Sequence, residues 1–286
     1  MNKAEMSDEQ INKIIELALA EDTSHGDITS ELIIPSDLLG KASILAKEEG
    51  LLAGGDVARL VFLRIEPALE VEILIPDGKS VKPGDRVAAI AGRVAGILRA
   101  ERVALNFLCH LSGVASETAR YVSQIKGYAA VITDTRKTSP GLRLLEKYAV
   151  RAGGGQNHRL HLGDGILIKD NHIAALHGLG MSLKDIIARA KQNAPKGVKI
   201  EIEVSTAPEA LEAVQAGADI IMLDNMNPDG VKQVVKLAPE QVRFEASGGI
   251  NIDNICTVAG TGVHFISVGA ITHSAKALDF SLELES

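Results

Sequence analysis

The pattern of apolar and polar positions divides the chain into a first part of mixed helix and strand spacing and a second part that alternates the two. Ser7 and Gln10 form a capping-box pattern before an apolar stripe starting at Ile11, which predicts an amphipathic helix. Residues 41–96 read mainly as strands, with alternating apolar positions over residues 69–75. The first part is therefore predicted to be a small α+β module.

A long helical pattern covers about residues 98–126 and is interrupted at Gly113. Three polar residues, Arg102, Asn106 and His110, recur every four positions on an otherwise apolar helix, so they share one face. Because the opposite positions are strongly apolar, we expect this helix to be buried on most sides. The polar stripe is then predicted to line a cavity or a subunit contact.

Strand-length apolar runs alternate with helical patterns over the rest of the chain: AAVIT, ILI, IEIEV, DIIML, VRFEA and FISVG. Such alternation predicts parallel strands joined by crossover helices. Six strands are visible, and the pattern allows a seventh strand and either an open sheet or a closed barrel.

Polar and charged residues lie where each of these strands ends, and this regularity favours the barrel. They are residues 134–137, Lys169, Asp170, Glu203, Asp224, Asn225, residues 247–249 and Gly269. In a (β/α) barrel the carboxyl ends of the strands form one rim, and the active site lies there. These residues are predicted to converge on a single mouth.

Positive charge is concentrated in residues 134–172. This stretch holds seven Lys and Arg residues against four Asp and Glu residues, although the whole chain has a formal net charge of −7. Arg136, Lys137 and Lys169 closely follow apolar runs, which places them at strand ends rather than on a solvated basic face. A local reversal of charge of this size suits a pocket for a polyanionic small molecule.

Composition argues against two other classes of protein. A pI near 5.7, 3% aromatic residues and no Trp provide neither the basic field nor the stacking surface of a nucleic-acid-binding protein. No apolar run reaches the ~20 residues that cross a bilayer. The first residues do not resemble a signal peptide, so we expect no membrane association and a cytoplasmic location.

Cys109 and Cys256 lie in apolar helical segments, which predicts buried thiols rather than a disulfide.

Two glycine-rich turns, ASGGI and VGAIT, follow the last two predicted strands. At this position in a barrel, exposed backbone N–H groups commonly bind a phosphate. Glu203 and Asp224 end neighbouring strands and could bind sugar hydroxyls, hold Mg²⁺ or act as acid and base. A phosphate cradle, two carboxylates and a cluster of cations together suit a pyrophosphorylated ribose phosphate.

Several segments resemble one enzyme family: RVALNFLCHLSGVAS, TDTRKTSPGLRLLEKYAVRAGGGQNHRLHLGDGILIKDNH, EIEVST, IIMLDNM, EASGGI and ISVGAITHS. Over essentially the whole chain they are similar to quinolinate phosphoribosyltransferases, also called carboxylating nicotinate-nucleotide diphosphorylases. The resemblance implies that quinolinate and phosphoribosyl pyrophosphate react to nicotinate mononucleotide, pyrophosphate and CO₂ for NAD synthesis, with Mg²⁺ as the cofactor.

The resemblance also implies an architecture. An N-terminal α+β sandwich domain would cover residues 1–112, joined by residues 271–286. A TIM-like α/β barrel of the type II phosphoribosyltransferase kind would cover residues 113–270. The family works as a homodimer or a larger homo-oligomer, in which Arg102 would enter the neighbouring subunit's site.

Individual roles follow from the same resemblance. The catalytic residues it implies are Lys137, Lys169, Glu203 and Asp224, of which Glu203 and Asp224 would also bind the metal. The substrate-binding residues it implies are Arg102, Arg136, Thr138, His158, Arg159, Ser247, Gly248, Gly249, Gly269 and His273. Among them, Arg136, His158, Arg159 and Arg102 would bind the quinolinate carboxylates, and Ser247, Gly248, Gly249 and Gly269 the 5′-phosphate.

Three alternatives are kept beside this interpretation. A paralogue of the same fold could act on another acceptor, although the intact DTRKT, NHR and KDNH segments favour quinolinate. A Schiff-base aldolase could use Lys169 at its strand end. A phosphosugar-binding protein without catalytic activity would need the same anion site, and turnover separates it from an enzyme.

Overall fold

The computed structural model of the protein describes residues 8–285. The predicted capping residue Ser7 lies outside that range. The N-terminal helix covers Asp8–Thr23, and its apolar stripe is buried at Ile11, Ile15 and Leu19. The amphipathic helix is therefore confirmed.

Helices and strands follow the order that the apolar pattern predicts. The helices are α1 (Asp8–Thr23), α2 (Ile28–Ile33), α3 (Gly55–Ile65), α4 (Val94–Gln124), α5 (Arg143–Ala152), α6 (Asp170–His177), α7 (Leu183–Asn193), α8 (Ala207–Ala216), α9 (Pro228–Leu237), α10 (Ile255–Ala259) and α11 (Ala270–His273). The strands are β1 (Leu39–Ala46), β2 (Gly50–Leu51), β3 (Glu70–Ile73), β4 (Ser80–Val81), β5 (Arg86–Arg93), β6 (Val131–Thr133), β7 (Ile166–Ile168), β8 (Ile200–Val204), β9 (Ile220–Asp224), β10 (Arg243–Ser247), β11 (Phe265–Ser267) and β12 (Phe280–Leu284).

The described chain separates into two compact units. The first takes in the residues up to Ala119, Thr138–Gly154 and the residues from Ile271 onward. Its main sheet is antiparallel, in the order β12-β1-β5-β3, so the C-terminal strand pairs with β1 along Ala42–Ala46. The α+β character predicted for this part is confirmed.

Helix α4 runs without a break from Val94 to Gln124, so the predicted interruption at Gly113 was wrong. The glycine serves close packing instead. A Cβ atom at Gly113 would collide with the carbonyl oxygen of Lys276 and lie 2.9 Å from the Cα atom of Ala277. The helix is thus continuous through Gly113, and the absence of a side chain there lets the backbone of Lys276 and Ala277 pack against it.

The second unit, residues 120–137 and 155–270, contains the parallel sheet, in the order β6-β11-β10-β9-β8-β7. All six predicted strands are present, and every pair in this sheet is parallel. Gln156 adds one parallel bridge to Thr133 on the free side of β6, which is a remnant of a seventh strand. Because residues in or directly after both edge strands line the same two cavities as residues of the central strands, the sheet is curled into a barrel.

Helix ends in this unit are set by local capping. Ser182 and Asp185 cap α7 reciprocally, and Thr206 and Glu209 do the same for α8. Gly217 ends α8 in the left-handed conformation, with φ at 81°. Thr206 thus starts α8 two residues after β8 ends at Val204, so the carboxyl end of this strand opens onto a short loop.

Two further expectations concern the thiols and the membrane. Cys109 and Cys256 are free thiols, but both are half-buried rather than fully buried. Among the described helices, none joins sufficient length with sufficient apolar character to cross a membrane.

Candidate active site

A cavity of about 530 Å³ lies at the carboxyl ends of the parallel strands, and residues in or directly after all six strands line it. We call it the anion cavity. It brings together ten of the predicted site residues: Arg136, Lys137, His158, Arg159, Lys169, Glu203, Asp224, Ser247, Gly248 and Gly249. The convergence predicted from the strand ends is therefore present in the fold.

The other four predicted residues lie elsewhere. Arg102, Thr138 and His273 belong to the first unit, and Gly269 follows β11 without lining the cavity. The Arg102 side chain is exposed on α4, and Thr138 accepts a hydrogen bond from Arg143 Nε at 3.0 Å. The functional parts assigned to these four residues stay predictions.

Asp134 fixes the segment that carries His158 and Arg159. Its carboxylate is fully buried and accepts hydrogen bonds from Asn157 Nδ2 at 2.6 Å and from the His158 backbone N–H at 2.8 Å. The Gln156 N–H donates to the Ile132 carbonyl at 2.9 Å. The NHR segment is thus held beside β6 by backbone and side-chain bonds together, and this presents Arg159 to the cavity.

Lys169 and Glu203 form an ion pair across neighbouring strands, with Nζ and Oε2 2.8 Å apart. Lys169 is also the N-cap residue of α6, and His172 Nδ1 accepts its backbone N–H at 2.9 Å. His172 therefore shapes the turn after β7. The ion pair occupies the amine that a Schiff-base aldolase would use as its nucleophile.

The glycine turn after β10 is built around Asn225. Gly248 and Gly249 both have positive φ angles, 86° and 61°, and a Cβ atom at Gly248 would overlap the Asn225 side chain. Asn225 itself has a φ of 54°; its N–H donates to the Ser247 carbonyl at 2.9 Å and its Nδ2 donates to Asp224 at 2.8 Å. Glycine is required here by conformation and by space.

A buried polar cluster lies inside the barrel. His158 Nε2 is 3.0 Å from Glu201 Oε2 and 3.6 Å from Glu245 Oε2. Ser267 donates to Glu245 and pairs with Thr133 at 2.9 Å. All four partners are at least 95% buried. We call these five residues the barrel cluster.

The charges of the barrel cluster act on one another. Burial first, and then the charge of Glu201, raises the pKa of Glu245 to about 7. Burial alone would lower the pKa of His158, but the hydrogen bond with Glu201 and the charge of Glu245 leave it above its ordinary value. Close to neutral pH the two carboxylates therefore share less than two negative charges.

A second cavity, of about 450 Å³, opens at the amino ends of the strands, next to Ile166, Lys199, Ile220 and Phe265. His158 and Arg159 line both this cavity and the anion cavity, so they form the floor between the two. The guanidinium of Arg159 donates from Nη1 to the Gly165 carbonyl at 3.0 Å. Burial lowers the pKa of Arg159 relative to its ordinary value, with the charge of Arg136 acting in the same direction.

Two groups of side chains could hold a metal ion. Glu203 and Asp224 line the anion cavity and also an adjoining cavity of about 610 Å³ that carries Asp170, Glu209 and Glu212. His158, Glu201 and Glu245 have ligand atoms within 4.8 Å of one another, but they already bond to each other in the barrel cluster. Carboxylates that face open space suit a hydrated Mg²⁺ better than a closed internal cluster does.

Comparison with known proteins decides the family. Residues 27–112 match the family model of the quinolinate phosphoribosyl transferase N-terminal domain, and residues 114–283 match that of its C-terminal domain. The chain belongs to the quinolinate phosphoribosyltransferase family. The fold, with its N-terminal α+β unit and its α/β barrel, is the one expected from the resemblance to this family.

Relatives of this quinolinate phosphoribosyltransferase family member are similar over nearly the whole chain. A probable carboxylating nicotinate-nucleotide pyrophosphorylase of Bacillus subtilis is 42% identical, over 96% of this chain and 93% of that protein. A decarboxylating quinolinate phosphoribosyltransferase of Nicotiana glauca is 39% identical, over 96% and 82%. The crystal structure of NadC from Streptococcus pyogenes superposes with a TM-score of 0.93 at 42% identity, covering 99% of both chains.

Three residues of the site in this quinolinate phosphoribosyltransferase family member were not predicted from the sequence: Glu201, Glu245 and Ser267. A signal was available for Glu201, because it lies two positions from Glu203 on the same strand and so faces the same side. Glu245 interrupts an apolar run in the same way. A carboxylate inside a buried strand requires a partner, and that requirement could have indicated the barrel cluster.

Proposed function

We propose that this protein transfers the phosphoribosyl group of phosphoribosyl pyrophosphate to quinolinate and releases pyrophosphate and CO₂, which yields nicotinate mononucleotide. Family membership supports the reaction. The single observation in the fold that carries it is the anion cavity, in which cations, two carboxylates and a paired-glycine turn face one space. A dianionic acceptor and a triply phosphorylated donor need that combination of groups.

Quinolinate would bind on the cationic side of the cavity. Arg136 and Arg159 present planar guanidinium groups, which match carboxylate geometry better than ammonium groups do. Arg159 Nε is buried and has no hydrogen-bond partner among the described residues, so a ligand carboxylate would satisfy it. Arg102 would complete the acceptor site from a neighbouring copy, and Thr138 would contribute to substrate binding.

The donor would extend from the glycine turn to the lysines. Its 5′-phosphate would accept hydrogen bonds from the backbone N–H groups of Ser247, Gly248 and Gly249, with Gly269 contributing after the next strand. Glu203 and Asp224 would bind the ribose hydroxyls. Lys137 and Lys169, together with His273, would face the pyrophosphate.

Mg²⁺ fits the same arrangement. Glu203 and Asp224 end neighbouring strands and offer carboxylate oxygens, which Mg²⁺ prefers, while water and phosphate oxygens can complete its shell. When bound, the ion neutralises charge on the pyrophosphate. The Lys169 amine already contacts Glu203, so one carboxylate would serve both cations.

The chain's own residues can promote both bond changes. The pyridine nitrogen attacks C1 of the ribose as the C1–O bond to pyrophosphate breaks, and pyrophosphate leaves with the electron pair. Lys137 and Lys169 stabilise that leaving charge, while Glu203 and Asp224 stabilise the positive charge that develops at C1. The pyridinium ring then accepts the electron pair of the bond to CO₂, and a proton from solvent replaces the carboxyl group.

A single assay tests the function. Purified protein with Mg²⁺, phosphoribosyl pyrophosphate and quinolinate should release CO₂ and pyrophosphate in equal amounts. Nicotinate offered in place of quinolinate should react at least ~100-fold more slowly, because one carboxylate and its two arginine contacts are lost. Equal rates with both acceptors would point to a paralogue of the same fold, and no turnover with either acceptor would refute the proposal.

A further inference from the structure

Both ring nitrogens of His158 are already engaged within the protein. Nδ1 accepts the backbone N–H of Arg159 at 2.8 Å, and Nε2 faces Glu201 Oε2 at 3.0 Å. A neutral imidazole has one donor and one acceptor nitrogen. Since Nδ1 accepts a hydrogen bond, the proton belongs on Nε2, and this pattern leaves no N–H of the ring for a ligand carboxylate.

The groups around His158 pull in opposite directions. Burial disfavours a charged ring, and so does Arg159 at the adjoining position. Glu201 and Glu245 face Nε2 and favour the charge, so that together these groups raise the pKa of His158. The Asp134 carboxylate accepts the backbone N–H of His158. Protonation of Nδ1 would place two donors 2.8 Å apart and break the bond to the Arg159 amide. This contact opposes the raised pKa and favours the neutral ring, because an unpaired buried N–H is costly.

The residues packed around the His158 ring fix its orientation, and the ring in turn fixes the backbone of Arg159. Ser267 and Thr133 hold Glu245 from β11 and β6, so four strands fix the far side of the His158 ring. The near side holds the Arg159 amide. The Arg159 guanidinium is then oriented by its bond to the Gly165 carbonyl at 3.0 Å.

We propose that His158 is a positioning residue rather than a carboxylate ligand: anchored by Glu201 and Glu245 in its neutral Nε2–H form, it fixes the Arg159 backbone so that the Arg159 guanidinium binds the anion. The inference rests on the proposed function only for the identity of that anion. It revises the predicted role of His158 and gives Glu201, Glu245 and Ser267 a part in substrate binding.

The first test reads the tautomer directly. Protein with ¹⁵N-labelled histidine rings is examined by long-range ¹H–¹⁵N NMR, and His158 is identified by the loss of its signals in His158→Gln. We expect one protonated and one unprotonated nitrogen near neutral pH, unchanged when quinolinate is added without the donor. His264 is the internal control, since its Nδ1 also accepts a backbone N–H, that of Phe244, at 3.1 Å, while burial and the charge of Arg243 act on its ring.

Two protonated nitrogens in the quinolinate complex would overturn the inference, because His158 would then be a cationic ligand. Loss of the Nε2 proton after addition of Mg²⁺ or Zn²⁺ would overturn it as well, since the cluster would then be a metal site. Neither result depends on turnover. Failure of the inference is therefore distinguishable from failure of the proposed function, which is tested by product release alone.

The second test uses variants. Gln at position 158 keeps one donor and one acceptor but cannot carry charge, so His158→Gln should retain most of the quinolinate affinity that His158→Ala loses. We expect KM for quinolinate to rise about tenfold or more in His158→Ala and in Glu245→Ala, with KM for phosphoribosyl pyrophosphate little changed. In the double variant the two losses should not add, because both act on Arg159 through one network.

An equal loss in His158→Gln and His158→Ala would contradict a positioning role, and so would additive losses in the double variant. Circular dichroism and thermal unfolding monitor whether each variant is folded. If the alanine variants fail to fold, the tautomer measurement on the unmodified protein still decides the question.

Discussion

At the scale of single residues, the Lys169–Glu203 ion pair would join two functions, because in the proposed mechanism the lysine faces the leaving group and the glutamate faces the ribose. Replacing Lys169 by Met removes the positive charge but keeps most of the apolar stem. We expect kcat to fall by about 10²–10³-fold, since a charge that develops in the transition state loses its partner. Steady-state kinetics with both substrates measures the effect.

The matched control is Lys199→Met. Lys199 forms a comparable ion pair with Asp219, at 3.1 Å, but lies at the amino ends of the strands. Its removal should leave kcat within about twofold of the original, because exposed ion pairs contribute little. Similar losses in both variants would indicate that the effect is not specific to the anion cavity.

Glu245 links stability to pH. Burial, followed by the charge of Glu201, raises its pKa from 4.5 to about 7, so the folded protein holds this proton more tightly than the unfolded chain. Its contribution is fully present below pH 4.5 and is lost as the pH rises through 7, by on the order of 3 kcal/mol in total. Glu245→Gln stays neutral and should gain in free energy of unfolding, relative to the original, between pH 5 and pH 8.

Urea unfolding at a series of pH values tests this. The quantity to follow is the difference in unfolding free energy between Glu245→Gln and the original protein. A difference that does not change with pH would show that Glu245 is ionised throughout the range, and the interpretation of the barrel cluster would need to change.

At the scale of elements, α4 depends on the missing side chain of Gly113. Gly113→Ala adds a methyl group against the backbone at Lys276 and Ala277, neither of which is a flexible side chain. We expect a loss of about 2 kcal/mol in the free energy of unfolding, despite the better helix propensity of alanine. Chemical denaturation measures it.

Gly178→Ala provides the comparison. Gly178 ends α6 with φ at −58°, and a Cβ atom there would be no closer than 3.4 Å to its nearest neighbour. The same substitution at this position should leave stability unchanged or slightly increased. If Gly113→Ala behaves in the same way, the close packing around α4 does not limit stability.

Much of the second unit could be predicted from the periodicity of apolar residues. The six parallel strands and the convergence of their ends follow from apolar runs and from what comes after them, because the carboxyl ends of parallel strands share one side. The break at Gly113 was wrong because glycine signals an interruption and a close approach equally. Glu201 and Glu245 were missed because an inward-facing carboxylate looks like any polar residue until its partner, distant in sequence, is known.

At the scale of the whole molecule, Arg102 and the anion cavity belong to different copies of the chain in our proposal. Chains with Arg102→Ala and chains with Lys137→Ala should each be inactive, and mixing them should restore activity. In a random one-to-one mixture of dimers, half are mixed and each mixed dimer has one intact site, so about a quarter of the original activity is expected. Activity of mixed dimers purified by two affinity tags measures it.

The control for this experiment combines two residues of one cavity. Lys137 and Lys169 line the same cavity within a single chain, so mixing Lys137→Ala with Lys169→Ala should restore no activity. Each mixed dimer then carries one defect in each cavity. Verified mixed dimers of the first pair that stay inactive would place Arg102 outside the neighbouring site.

The barrel cluster has a consequence for descent. A chain that loses Glu245 alone keeps Glu201 and His158 buried, but the net charge of the cluster is changed. A chain that loses His158 alone leaves two buried carboxylates without their shared partner. Replacing one member of this trio alone by an apolar residue is therefore harmful, whereas a simultaneous exchange of all three for apolar residues of similar size is tolerable. In distant homologues we therefore expect positions 158, 201 and 245 to covary, so that all three residues are either retained or replaced.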